Sequence, residues 1–423
     1  MNRKISVGMM VTIVILAMTV TFSVTMLMAM RLFDSTVSSV KEKESMYNKI
    51  AEVDHYVRAN DYYNIDETLL YDCLTAGYLL GAGDPYARYY TATSYTELMK
   101  IQEGTLMGIG VELAKDQTGY AKVLKVYDDS PAQEAGIQVG DYLIAIGGEE
   151  VKAMYTVDTV GEAGTVVSVT WLDAAAAEHS ADLTHYGYRT TSVDQSLVQG
   201  NVGYIRIHQF DSTTASELDY AVRTLQKAGA TSLVFDLRNN GGGVLEDALN
   251  CIDLLCPEGT LAYAEDKDGD RTLLGSSDSE NVVELPMVCV VNKYTASAAE
   301  LFAASLRSLS GARLVGETTQ GKGTIQSSPQ RLSDGSALVV TVAKLLDGQG
   351  NSFDGTGLTV DVERPLTAEE EVIFYDFTPD TDPQILRAVQ AAQQMSGSTT
   401  VAGAEEENAA SDAEPAAPEE EPA

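Results

Sequence analysis

Residues 5–30 carry no charge. As a single helix rising about 1.5 Å per residue they would reach roughly 39 Å, enough to cross a bilayer with some tilt. Beyond them the pattern predicts helices over residues 37–58 and 66–80, broken by Gly81-Ala-Gly83 and Asp84-Pro85. The apolar runs then shorten. Ala121-Lys-Val-Leu-Lys-Val126 reads as a strand, and Gly164-Thr-Val-Val-Ser-Val-Thr-Trp171 alternates as a sheet strand does. From residue 201 strands and helices take turns: a strand over 201–210, a helix over 215–227, and a buried strand over 231–238. Asn239-Asn-Gly-Gly-Gly243 then leads into a helix over 244–255. An apolar run from Met287 to Val291 passes through a polar turn into a helical pattern that begins at Ser297. Asp334-Gly335 followed by Leu338-Val-Val-Thr-Val342 reads as a hairpin. The expectation is an α/β, multidomain chain behind a membrane helix.

Candidate chemistry lies in two segments. Ser297, in Ser297-Ala-Ala-Glu300, stands at the first turn of its helix, where unpaired N–H groups favour negative charge. Lys322 stands between two glycines, with Gln326 four residues on. A serine needs a neighbouring base to become a nucleophile, and a desolvated lysine can be that base without histidine. Plainer readings compete: Ser297 with Glu300 fits a capping box, and a lone lysine is commonly a solvated surface charge. Gly316-Glu-Thr-Thr-Gln-Gly-Lys322-Gly323 is also one residue short of a phosphate-binding loop. Gly323 fills the place where Ser or Thr would hold magnesium, and a hairpin follows where a helix is required, so no nucleotide is expected.

Taken together, the spacing of 25 residues from Ser297 to Lys322 and four more to Gln326, in these contexts, resembles the carboxyl-terminal processing peptidases. These tail-specific serine proteases, peptidase family S41, use a Ser–Lys–Gln arrangement. The resemblance spans about residues 45–390. It implies Ser297 as nucleophile, Lys322 as base and Gln326 as the group that orients the lysine. The family's Asp-Leu-Arg-Asn-Asn-Pro-Gly-Gly turn matches residues 236–243 with Gly241 in place of the proline. By that match the backbone N–H of Gly242 lends itself to an oxyanion hole, Gly243 being the open alternative, with the N–H of Ala298 as second donor. Ala299 stands where serine is usual. Residues 101–187 resemble a PDZ domain, on Gly108-Ile-Gly-Val-Glu-Leu113 and on the Ser130-Pro131, Ala135-Gly136 and Gly140-Asp141 breaks. Such modules add a peptide to a sheet edge and hold its carboxylate in a nest of N–H groups; the resemblance assigns that nest to Gly108, Ile109, Gly110 and Val111.

The implied division is a stub and transmembrane signal anchor over 1–33, a helical region over 34–100, and a mostly β PDZ domain over 101–187. A crotonase/ClpP-like α/β catalytic core with a C-terminal helix follows over 188–395, then an acidic tail over 396–423. The helical region is a candidate for homo-oligomer contacts. The implied function is a serine endopeptidase for proteins or peptides recognised near their C-termini. The alternative is a PDZ peptide-binding scaffold whose catalytic part has decayed.

Composition adjusts this picture at the edges. A net charge of −34 argues against nucleic acid, which needs a basic face. Eight acidic residues and no basic one follow Ser396, among Ala and Pro, so a disordered, solvated tail is expected. No Ala-x-Ala cleavage pattern follows the uncharged segment, which favours an uncleaved anchor in the cell membrane; the family resemblance places the catalytic part outside the cytoplasm. Cys73, Cys251, Cys256 and Cys289 form no framework, and Cys251 and Cys256 read as buried small hydrophobes, with a bridge between them left open. The four histidines have no metal-ligand spacing, and Asp266-Lys-Asp-Gly-Asp270 lacks the glycine and glutamate of a calcium loop, so it reads as a hairpin tip. No metal or cofactor is implied.

Overall fold

A computed structural model describes residues 7–411 except 117, 156, 158, 200 and 279–281, with the side chains of 398–411 and many before residue 43 outside the description. The chain divides into two compact units, residues 1–77 and 78–423.

In the first unit a single helix runs over Val7–Asn60. It joins the uncharged run to the helix expected over 37–58, since nothing between Met9 and Asn60 is a Gly or Pro that would break it. Arg58 closes the helix by donating to Asp54 (2.7 Å) and to Glu67 (2.6 Å), where the next helix, Glu67–Ala82, begins. Among the described residues no helix is long and apolar enough to cross a membrane. The expected anchor over 5–30 lies partly outside those residues.

The second unit centres on a six-stranded sheet in the order Val193–Val198, Val202–Ile207, Ser232–Asp236, Met287–Val291, Arg313–Gly316, Val362–Glu363. The first pair is antiparallel and the others parallel. Central strands of such a sheet are buried on both faces, which is why they read as continuous apolar runs. Leu233, Phe235, Cys289 and Val291 point into one core with helices Thr214–Lys227, Leu245–Asp253 and Ala298–Ser310. Val234, Val288 and Val290 point the other way, against Ile385, Ala388 and Val389 of helix Pro383–Ser411. That helix is tied to the sheet by a buried ion network: Arg238 donates to Asp236 at 2.7 Å and to Asp382 at 2.8 Å. Removing one member of such a buried network costs about 3–5 kcal/mol. The helix extends to Ser411, past residue 396 where the tail was expected to begin; no proline intervenes before Pro415, and the Ala and Glu residues of 402–410 favour helix although Gly397, Gly403 and Thr399-Thr-Val401 do not. Residues 412–423 lie outside the described residues.

A second sheet joins Arg271–Ser277, Gly259–Glu265, Thr341–Asp347 and Thr324–Gln326. Residues 266–270 form the expected hairpin tip, with the Asp266 N–H donating to the Asp270 carbonyl at 3.0 Å. The PDZ-like β unit has strands Val111–Lys115, Ala121–Val126, Tyr142–Ile146, Val166–Leu172 and Glu178–Thr184 around a core of Ile109, Val123, Leu143, Val169 and Trp171. Cys251 and Cys256 are buried and free, so no bridge joins them.

One connection was not expected. Residues 88–90 form a short strand, Arg88–Tyr90, that pairs antiparallel with Ala337–Val339. A helix, Ala92–Gln102, follows, and the Thr91 hydroxyl caps it by accepting the Ser94 N–H. The chain between the N-terminal helices and the PDZ-like unit is therefore woven into the catalytic core.

Candidate active site

Two tight turns at the C-terminal ends of adjacent parallel strands build the site. After Ser232–Asp236 comes the turn of residues 239–243; after Met287–Val291 comes the turn of residues 292–297. Side-chain amides lock the two together. The Asn292 amide donates to Asn239 Oδ1 at 2.9 Å, and Asn292 Oδ1 accepts the Asn239 N–H at 3.1 Å. The Thr295 hydroxyl donates to the Leu237 carbonyl (2.8 Å), and the Ala296 N–H donates to the Asn240 carbonyl (3.0 Å). Buried, satisfied polar groups of this kind fix geometry because each costs free energy if left unpaired.

Ser297 ends the second turn with φ +58° and ψ −120°. An ordinary N-cap serine has extended backbone. A non-glycine residue held at positive φ costs about 1–3 kcal/mol and persists only where its surroundings enforce it. Here they do. Ala298, Ala299, Leu301 and Phe302 are fully buried, and the Phe302 ring meets Phe235 and Phe210 at centroid distances of 5.5 and 5.6 Å.

Glu300 binds the serine turn to the lysine loop. Of the expected capping box with Ser297, the bond from the Ser297 N–H to the Glu300 carboxylate forms, and the carboxylate does more than cap. Its Oε2 accepts the N–H groups of Ser297 and Lys322, both at 2.8 Å; Oε1 accepts the Gly321 N–H at 2.8 Å and the Thr319 hydroxyl. The side chain is wholly buried. Sequence reading saw only a cap here; the signal for more, an acidic residue facing the start of a buried helix, is too common to single out.

Ser297, Lys322 and Gln326 line one cleft of about 560 Å³, with Tyr86, Arg88, Gln102, Gly243 and Glu246 among its walls. Lys322 is half-buried, with its ammonium 5.1 Å from the centre of the Tyr86 ring. Burial holds its pKa below the ordinary lysine value, and the nearby Arg88 cation adds to the depression, against a smaller opposing pull from Glu300. Gln326 does not bond to Lys322. Its amide nitrogen donates to the Thr324 hydroxyl at 3.0 Å and to the Thr341 hydroxyl at 3.5 Å, and Thr341 is in turn held by Asp84 through N–H (2.7 Å) and hydroxyl (3.0 Å). The strand Thr324–Gln326, and no helix, follows the lysine, which removes the phosphate-loop alternative.

The two glycines open for the oxyanion role differ in how their N–H groups are engaged. The Gly242 N–H donates to Asn240 Oδ1 at 2.8 Å, and Gly242 is not among the cleft walls. Gly243 is. Among the described residues neither Gly243 nor Ala298 gives its N–H to another acceptor. Gly243 must be glycine: its φ is +139°, and a Cβ there would lie 2.1 Å from the Phe210 carbonyl oxygen. The match of motifs could not show this difference, because it lies in the Asn240 side chain, which takes the Gly242 N–H.

The PDZ-like loop is separate from this cleft. Gly108 ends the strand Thr105–Gly108 and bridges to Val160; the Ile109 N–H donates to the Thr159 carbonyl at 3.0 Å, and Ile109 is fully buried. The expected nest over Gly108, Ile109, Gly110 and Val111 is therefore partly closed by the chain's own residues 159–161. Val111 opens an edge strand whose one strand neighbour is Ala121–Val126.

The family model described as Peptidase family S41 matches residues 201–364, and one for the PDZ domain matches residues 122–169. The carboxy-terminal processing protease CtpA of Bacillus subtilis is 30% identical over 343 residues, covering 80% of this chain and 73% of that protein. The chain belongs to peptidase family S41. A carboxyl-terminal-processing protease of Synechocystis is 31% identical, over 72% of this chain and 73% of its own. A solved S41-type structure from Bacteroides fragilis superposes with TM-score 0.52 at 18% identity, covering 80% of this chain and 92% of that one, which speaks for the fold. The chain is thus a serine-type peptidase of the C-terminal processing kind, and its S41 core carries the cleft described above.

Proposed function

We propose that this S41 peptidase cleaves by acyl-enzyme chemistry, with Ser297 as nucleophile and Lys322 as general base. One observation carries the assignment: a serine at positive φ, at the start of a buried helix, lines the same cleft as a lysine whose charge is disfavoured. Ser297 Oγ attacks the scissile carbonyl while Lys322 Nζ takes its proton. The oxyanion that forms receives the N–H groups of Gly243 and Ala298, a contribution of about 3 kcal/mol per donor. Collapse breaks the C–N bond, and Lys322 returns the proton to the departing amine. Water then attacks the acyl ester by the same route in reverse. Gln326 acts indirectly, keeping the wall beside the lysine in place with Thr324 and Thr341.

The decisive test is a pair of variants in the full chain. Ser297→Ala and Lys322→Arg should both fold with near-native thermal stability and both lose peptide cleavage, since arginine stays protonated at working pH. Turnover retained by either variant would remove that residue from its role.

Substrate engagement near the carboxyl terminus is proposed through the edge strand Val111–Lys115, which can accept a peptide by strand addition. Amidating the tail of a substrate should then weaken its cleavage, and equal cleavage of free and amidated tails would end that reading. Membrane attachment through residues 5–30, with the catalytic part outside the cytoplasm, is proposed from the uncharged run and from the exposed apolar side chains of Leu16, Phe22 and Met28. Release of the full chain from membranes by high salt alone would refute it.

A further inference from the structure

Arg88 is an exposed cation on the cleft wall. Its Nη1 donates to the main-chain carbonyls of Pro85 (2.9 Å) and Ala87 (2.8 Å), which fixes the plane of the guanidinium. The side chain is exposed and forms no ion pair among the described residues. Two of its five N–H groups are therefore used, and the Nε–Nη2 edge remains, a fork that matches the two oxygens of a carboxylate. The platform under it is firm. Asp84, four residues earlier, accepts the N–H and hydroxyl of Thr341, and Arg88 itself pairs in register with Val339.

We propose that Arg88 selects substrates, binding a peptide carboxylate through its free Nε–Nη2 edge beside the scissile bond. The proposal rests on the cleft's being the peptidase site. A chain of net charge −34 repels acidic peptides at long range. A carboxylate enters the cleft only where a local cation offsets that field, and Glu246 on the wall makes the need greater. Lys322 cannot serve, because its task requires the neutral amine. The recognised carboxylate has two sources, an acidic side chain near the cut or the free α-carboxylate of a tail that ends a few residues beyond it. Arginine suits either, since bidentate hydrogen bonds give both charge and orientation.

The test measures kcat/KM for the full chain on two peptide sets. In the first, amidated at the C-terminus, one glutamate is moved through the positions on either side of the cut and compared with glutamine. In the second, neutral peptides carry a free or an amidated terminus at increasing distance from the cut. The wild-type protein should favour one carboxylate position by about tenfold, the scale of a partly exposed charge-assisted bond. Arg88→Gln should bring that ratio near one, and Arg88→Lys, which keeps the charge and loses the fork, should fall between. Arg88→Glu should invert the preference toward a lysine at the same place. The set that responds names the source. Ratios unchanged by Arg88→Gln, or no preference in the wild-type protein, overturn the proposal. So does an equal loss on every peptide with an alkaline shift of the pH profile, which would mean that Arg88 acts only by depressing Lys322. Cleavage that survives Ser297→Ala would instead strike at the assignment of the cleft.

Discussion

Replacing Glu300 by alanine should separate fold from chemistry at this site. The wild-type carboxylate satisfies three backbone N–H groups at 2.8 Å and the Thr319 hydroxyl, in a wholly buried position. Each donor left unpaired would cost about 1–3 kcal/mol. Water entering the space vacated by the carboxylate restores part of that, so the net loss should be about 3–5 kcal/mol, the scale for breaking a buried charged network. Glu300→Gln should cost less, about 1–3 kcal/mol. Its amide nitrogen can replace Oε1, where the Thr319 hydroxyl can turn to accept, leaving only the Gly321 N–H facing a donor. Oxygen then remains opposite Ser297 and Lys322. In activity, losing the link between nucleophile and base displaces each by a fraction of an ångström to an ångström, and misplacement on that scale costs about 100-fold. Unfolding by denaturant gives the stability term, and kcat and KM on a fluorogenic peptide give the other. A pH profile distinguishes positioning from mere structure: Glu300 pulls the Lys322 pKa upward, so both variants should move the rising limb of kcat/KM to lower pH. Glu300→Ala with native stability, native kcat and an unmoved limb would refute the reasoning.

Two further outcomes follow from the same geometry. The Lys322 pKa lies below the free-lysine value, so cleavage should rise with pH through that depressed pKa as the amine loses its proton; Arg88→Gln, by removing a neighbouring cation, should move the limb to higher pH. A limb at the ordinary lysine position would mean that burial does not tune this group. Gly243→Ala should destabilise and inactivate together, since the added Cβ meets the Phe210 carbonyl at 2.1 Å and the backbone is at φ +139°; a folded, active variant would return the oxyanion role to another donor.

Much of the α/β core was legible because its strands are buried on both faces and its helices pack one stripe. The runs around Leu233 and Val288 and the helix after Ser297 announce themselves by pattern alone. Ser297, Lys322 and Gln326 were singled out by their spacing together with the family resemblance, and the structure brings all three to one cleft. What was hidden depends on side chains reaching across the fold. Asn240 takes the Gly242 N–H, and Thr159 takes that of Ile109; neither partner is visible in a motif that records only residue types. Gln326, expected as the group that orients the lysine, bonds two threonine hydroxyls, partners hidden for the same reason.

The segment from Asp84 to Gln102 was the largest gap, and it changes what the N-terminal region is for. Its strand is three residues long, too short to show a period, and its partner Ala337–Val339 lies far along the chain. Yet Asp84 holds Thr341, which holds Gln326, and Tyr86, Arg88 and Gln102 are cleft walls. The cleft that holds Ser297 and Lys322 is therefore not complete within residues 201–364, the part that matches the S41 family model. A boundary drawn at residue 100, with helices on one side and everything catalytic on the other, cuts through the site: the side chains that shape the space around the lysine come from the part that reads as a helical appendage.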